Sequence, residues 1–214
     1  MIGVINYHGG NAPSVVAALE RIDAPHHVVE TTADFADLAA VILPGVGAAA
    51  ATLDSLQDQD LIAPLTDFVR GRGMPFLGIC VGLQVLFEHS EEGDRECLGW
   101  VKGTVHRFDD ARVRVPQIGW NILNVKQIDH PLLHGLQNES YCYFVNSYHA
   151  RPQDPATILA ETDYEGPSTA IIAQDNIWAT QFHTEKSGPV GLRMLSNFVN
   201  TALVDSRPLA AVEA

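Results

Sequence analysis

The stretch that decides the fold is Phe76-Leu77-Gly78-Ile79-Cys80-Val81-Gly82-Leu83-Gln84. Residues 76–79 read as a short apolar strand and 82–88 as a helix. Between them stands Gly78-Ile79-Cys80-Val81-Gly82, a G-x-nucleophile-x-G elbow with Cys where hydrolases often carry Ser. So tight a turn forces its central residue into strained backbone, and the flanking glycines remove the Cβ clashes. The sulfur then projects above the carboxyl edge of a sheet. It also lies at a helix N-terminus, whose partial positive charge favours thiolate. Cysteine is among the residue types most often buried, so an isolated one reads as packing. The strand–elbow–helix setting reverses that reading for Cys80, whereas Cys97 and Cys142 lack it and read as structural.

Working outward, residues 2–6 read as a buried strand. A turn, His8-Gly9-Gly10-Asn11, leads to a helix carrying Val15, Val16, Leu19 and Ile22. A second strand is expected at 27–30 and a third at 41–43, stopped by Pro44-Gly45. Helical patterns cover 48–56 and 61–70. Apolar strands alternating with helices indicate a parallel sheet covered on both faces. The second half differs. Strand-like runs at 100–108, 118–125, 141–145, 157–162, 169–173 and 178–182 follow one another closely. They predict an antiparallel extension of the same sheet, or a second sheet beside it. A closing helix starts at Ser187 as N-cap with Pro189 in its first turn. Leu192, Leu195, Phe198, Val199, Ala202 and Leu203 share one of its faces. With no repeat and no linker, one domain is expected over 1–204, followed by a short Ala-rich tail at 205–214 that frays.

Composition narrows the function. The chain has 214 residues, 46% of them hydrophobic and 18% charged, against a usual charged share of about 25%. The net charge of −13 argues against nucleic acid, which must be met by Lys and Arg, and against anionic membrane surfaces. The cluster Glu91, Glu92, Asp94 and Glu96 reads as a solvated loop. Three cysteines with no C-x-x-C pair predict neither structural zinc nor a disulfide framework. The eight histidines other than His183 show no ligand spacing, so no metal is expected, and no cofactor is expected either. The N-terminus has no basic region, and no apolar run reaches the roughly 18 residues of a spanning helix. The expected compartment is the cytoplasm, where thiols stay reduced.

A nucleophilic Cys needs a base, and His183 in Gln181-Phe182-His183-Thr184-Glu185-Lys186-Ser187 follows a predicted strand. In an extended segment Glu185 would project to the same side as His183, reach its far nitrogen and fix the tautomer. Acyl transfer also needs oxyanion donors. Pro44-Gly45-Val46-Gly47 follows a strand and precedes a helix, and its glycines let backbone N–H groups turn toward a substrate oxygen. The second donor is the N–H of Val81, next to the nucleophile.

Together these segments resemble the class I, triad-type glutamine amidotransferases, in the family's order Cys…His-x-Glu. Two further segments, Pro116-Gln117-Ile118-Gly119-Trp120-Asn121 and Tyr143-Phe144-Val145-Asn146-Ser147-Tyr148-His149, narrow the likeness. With Asn6-Tyr7-x-Gly9-Gly10-Asn11 they resemble the glutaminase subunits of imidazole glycerol phosphate synthases. The resemblance covers nearly the whole chain and implies a flavodoxin-like α/β fold with an antiparallel extension. It implies that Cys80 attacks the glutamine amide, with His183 as acid and base, Glu185 as its orienter, and Val46, Gly47 and Val81 around the oxyanion. Gln84, Ser147 and Tyr148 would bind glutamine. Ammonia would pass into a (β/α)8 cyclase partner of a heterodimer, met through Asn11, Trp120, Asn121, Tyr143 and Lys186. The cyclase would make imidazole glycerol phosphate and aminoimidazole carboxamide ribotide in histidine biosynthesis. Alternatives are another class I glutaminase or a non-catalytic binding module of the same fold. Two departures stand out: Thr184 occupies a position usually held by Pro, and His8 one usually held by Gly.

Overall fold

A computed structural model of the chain describes residues 1–7, 10–137 and 139–205. His8 and the tail from 206 onward lie outside the described residues. The first half runs β1 (Ile2–Ile5), α1 (Ala12–Arg21), β2 (His26–Val29), β3 (Ala40–Gly45), α2 (Ala49–Asp58), α3 (Ile62–Thr66), β4 (Phe76–Cys80) and α4 (Val81–Gln84). The second half begins with β5 (His89–Ser90), β6 (Arg95–Glu96), β7 (Gly103–Arg107), β8 (Gln117–Ile122) and β9 (Asn124–Val125). It continues with β10 (Tyr141–Asn146), β11 (Tyr148–Pro152), β12 (Ile158–Asp163), β13 (Pro167–Gln174) and β14 (Ile177–Thr180), and closes on α5 (Gly188–Asp205).

The main sheet has the order β2-β1-β3-β4-β14-β13-β12-β9. Its first five strands are parallel, and β13, β12 and β9 extend it antiparallel. β1, β3, β4 and β14 are buried along their whole length, which is why each reads as an uninterrupted apolar run. α1 lays Val15, Ala18 and Leu19 into the core, and α5 lays Met194, Leu195, Phe198 and Ala202 into it. Both second-half expectations are realised. Besides the extension there are two separate sheets, β10-β8 and β11-β7-β5-β6.

Three local differences from the sequence reading have physical reasons. β3 does not stop before Pro44-Gly45 but carries both, paired to β4. β1 leaves β3 after Ile42, so Pro44 lies where β3 has only one neighbour and its missing N–H is tolerated. The helix expected at 82–88 is the single turn α4, continued by tighter bonds such as Leu86 N to Leu83 O at 3.2 Å. β11 follows β10 after Ser147 alone, with no turn signature, because the chain changes partners from β8 to β7 there.

The elbow leaves no room for a side chain at its glycines. A Cβ on Gly82 would lie 2.1 Å from the Leu43 carbonyl oxygen, and one on Gly78 would lie 2.4 Å from the Gly82 carbonyl oxygen. Gly82→Ala should therefore cost at least about 2 kcal/mol, because backbone must move. Gly99→Ala, at φ +64° but in open space, should cost about 1 kcal/mol. Urea midpoints of the two variants check this; equal losses would contradict it.

Candidate active site

β3, β4 and β14 are parallel neighbours, so their carboxyl ends open on one edge. Gly45 pairs with Cys80, and Thr180 with Ile79. That register sets the turn after β3 on one side of Cys80 and the segment after β14 on the other. Cys80 has φ +56° and ψ −106°, a strained conformation worth about 1–3 kcal/mol that packing must hold. Since α4 is one turn long, the favourable field at the sulfur comes from that turn's own amides rather than from a long helix dipole.

His183 is fixed from both ends. Its N–H donates to the Tyr143 carbonyl at 3.0 Å, and its carbonyl accepts from Ser187 Oγ at 2.6 Å. His183 Nδ1 lies 2.8 Å from Glu185 Oε1, with side chains only 5% and 1% exposed. An ionised carboxylate only accepts, so Nδ1 carries the proton and Nε2 is left to face the sulfur. Cys80 is within hydrogen-bonding reach of the imidazole. Burial opposes a charged ring here, but the hydrogen bonds and charges of Cys80 and Glu185 outweigh it and hold His183 well above its ordinary value. The segment is not extended as the i, i+2 argument supposed. Thr184–Lys186 forms a 3₁₀ turn, which curls the carboxylate back onto the ring. Thr184 is fully buried with its hydroxyl unpartnered.

Cys80 and His183 share a cavity of about 270 Å³ with Val46, Gly47, Val81, Gln84, Ser147 and Tyr148. Each predicted nucleophile, base, oxyanion and glutamine-binding residue therefore lies in or behind one recess, Glu185 behind His183. Two details qualify their expected roles. The Val46 backbone lies close to the buried Tyr7 hydroxyl, which meets Thr52 Oγ1 at 3.2 Å. Gln84 Nε2 is occupied by the Tyr148 carbonyl at 3.0 Å and by Gln181 Oε1 at 3.2 Å. Because Tyr148 offers a carbonyl, the orientation of Gln84 is fixed, and Gln181 must turn its Nε2 to Cys80 Sγ, 3.9 Å away. A larger cleft of about 680 Å³ opens at the amino ends of the strands beside Met1, Pro75 and Phe198, with no Cys, Ser or His among its lining residues.

Sequence reasoning missed Glu92. Its acidic neighbours make it read as part of a solvated loop, but it lines the cavity and its Oε2 accepts the Ala49 N–H at 2.7 Å, at the start of α2. Nothing local separates it from Glu91, which pairs with His106, or Asp94, which pairs with His89. Of the five expected partner-facing residues, Trp120 is 56% exposed, set edge-on to Tyr143, and Lys186 is exposed. Asn121 and Asn11 are tied inward, to the Asp163 carbonyl at 3.1 Å and to Glu185 at 2.8 Å. Among the described residues no cluster of three or more His, Cys, Asp or Glu is arranged to hold a metal, and no helix is long and apolar enough to cross a membrane.

The sequence profile described as "Glutamine amidotransferase class-I" matches residues 3–202. The chain belongs to the class I glutamine amidotransferases. It is 48% identical over 204 residues to "Imidazole glycerol phosphate synthase subunit HisH" of Herpetosiphon aurantiacus, covering 95% of each chain. The protein of the same name from Chloroflexus aurantiacus is 46% identical over 202 residues, covering 93% of this chain and 95% of that one. Among solved structures, "Crystal structure of glutamine amidotransferase" superposes with a TM-score of 0.74 at 20% identity, covering 94% of this chain and 98% of that one. "Structure of PurLQS from Thermotoga maritima" gives 0.73 at 18% identity, covering 94% and 97%. At such identities these two speak for the fold.

The strand that brings Tyr148 to the cavity carries His149, whose ring stacks on Phe108 with centroids 4.6 Å apart and both nitrogens unpartnered. Burial pushes the His149 imidazole down, to about 4, and the Arg151 charge works the same way. A folded value below the unfolded one means that the unfolded chain binds more protons between them. Stability is thus full above about pH 6.5 and falls by about 3 kcal/mol toward pH 4. His149→Phe should remove that share of the acid loss in urea midpoints measured from pH 7.5 to 4.5. Parallel curves for variant and parent would contradict it.

Proposed function

We propose that the chain is the glutaminase subunit of an imidazole glycerol phosphate synthase. It hydrolyses glutamine to glutamate and ammonia for histidine biosynthesis. The observation that carries the chemistry is one cavity in which a strained Cys80 faces His183 Nε2 while Glu185 holds Nδ1. Cys80 gives its thiol proton to His183 Nε2 as Sγ attacks the side-chain amide carbon, and the carbonyl oxygen becomes an oxyanion near the Val81 N–H and the Val46-Gly47 turn. Each such donor is worth about 3–4 kcal/mol of barrier. His183 passes its Nε2 proton to the departing nitrogen, which leaves as ammonia. The γ-glutamyl thioester is then opened by water, with His183 taking the water's proton and returning it to sulfur as glutamate leaves. Glu92, the acidic side chain on the cavity wall, is the group suited to face the substrate's α-ammonium.

Relatives at 41–48% identity over most of the chain are named as a subunit, which implies a partner subunit. In this reading the partner is a (β/α)8 cyclase that consumes the ammonia in the cytoplasm. A surface suited to it is the apolar stripe of Ile118, Trp120, Tyr141 and Val145 on β8 and β10, exposed beside the strand that holds His183.

The test is coupled turnover with the candidate cyclase, with and without its nucleotide substrate. Glutamine hydrolysis should be slow for the chain alone and rise by about a hundredfold or more in the loaded complex. Cys80→Ala should abolish glutamine-dependent synthesis and spare ammonia-dependent synthesis. Equal hydrolysis with and without the partner would remove the assignment, and retained hydrolysis in Cys80→Ala would remove the nucleophile.

A further inference from the structure

Asn11 stands at the position just before α1, where an Asn side chain ordinarily accepts an N–H of the first helical turn. Here it makes no such bond. Its backbone carbonyl starts the helix, accepting from Ser14 N at 3.2 Å, while its side chain turns away from the helix. Asn11 Nδ2 instead donates to Glu185 Oε1 at 2.8 Å, across 174 positions of sequence. That oxygen also receives His183 Nδ1 at 2.8 Å. The other oxygen, Glu185 Oε2, is buried without a partner. Among the described residues the carboxylate is therefore held by two side-chain donors only, the imidazole it orients and the Asn11 amide.

We infer that Asn11 is a positioning residue for the glutaminase reaction, holding Glu185 so that Glu185 holds His183. The inference rests on the glutaminase reading and departs from the role in partner contact that the sequence resemblance implied for Asn11. A carboxylate held by the imidazole alone is free to swing about Cα–Cβ. Each swing rotates Nε2 away from the sulfur and from the departing nitrogen. Asn11 supplies a fixed point outside the moving pair, anchored by a helix that begins at its own carbonyl. The amide must donate here: an oxygen at the same place would face Glu185 Oε1 with two acceptors and no proton.

The test compares Asn11→Ala and Asn11→Asp with the parent, in glutamine turnover by the subunit alone and by the loaded cyclase complex. Size-exclusion chromatography of the complex confirms that each variant folds and assembles. Asn11→Ala should lower kcat about tenfold and Asn11→Asp about a hundredfold, the scale on which partners of an oriented His act. KM for glutamine should stay within about twofold, and ammonia-dependent synthesis should be unchanged. The rank order is the diagnostic. A space-filling role predicts that the isosteric Asp is tolerated better than Ala, and that result would overturn the inference. So would weakened assembly with unchanged turnover by the subunit alone, which would return Asn11 to the partner surface. A parent chain that hydrolyses no glutamine even in the loaded complex would instead defeat the glutaminase reading, and the inference with it.

Discussion

The parallel pairing of β4 with β14 is the constraint on which the rest depends. Residues 80 and 183 are far apart in the chain, and nothing local brings them together. Ile79 opposite Thr180 does so, because two parallel strands in register end at the same level. β3, on the other flank of β4, ends there too, with Gly45 beside Cys80. Nucleophile, base and oxyanion turn are thus the carboxyl ends of three adjacent strands. A one-residue slip in either pairing would turn every side chain to the opposite face and scatter them. The buried apolar runs of β1, β3, β4 and β14 hold the register, and the same packing sustains the strained backbone at Cys80.

Around the sulfur the site is an ordered chain of donors. The Tyr148 carbonyl orients Gln84, Gln84 orients Gln181, and Gln181 presents an N–H to Cys80. On the other side Asn11 meets Glu185, and Glu185 meets His183. These links come from β11, α4, the segment after β14 and the start of α1. The geometry at one atom therefore depends on four parts of the chain. Such connected polar groups are rigid when complete and costly when broken.

Much of this was legible in the sequence, and for identifiable reasons. Gly78 and Gly82 announced the elbow because no other residue fits against the Leu43 and Gly82 carbonyls. The central strands showed as apolar runs because they are buried on both faces. What stayed hidden depends on contacts distant in sequence. Glu92 looks like its acidic neighbours until α2 is seen to place the Ala49 N–H before it. The 3₁₀ turn at Thr184–Lys186 replaced an extended segment because the backbone of His183 is pinned to β10 and Ser187. β11 escaped notice because a change of strand partner at Ser147 leaves no Gly or Pro mark. Only a partner contact was implied for Asn11, by the family resemblance, because the carboxylate it meets lies at the other end of the chain.

The central claim is that one of three thiols is a nucleophile by virtue of the elbow. Cys97 and Cys142 are held inert by burial, which raises them to about 11 and about 12. Treatment of the native protein with a glutamine-like diazo-ketone, followed by mass mapping of the peptides, separates them directly. The account predicts a single adduct on Cys80 whose formation free glutamine slows. An adduct on Cys97 or Cys142, or label spread evenly over all three, would contradict it.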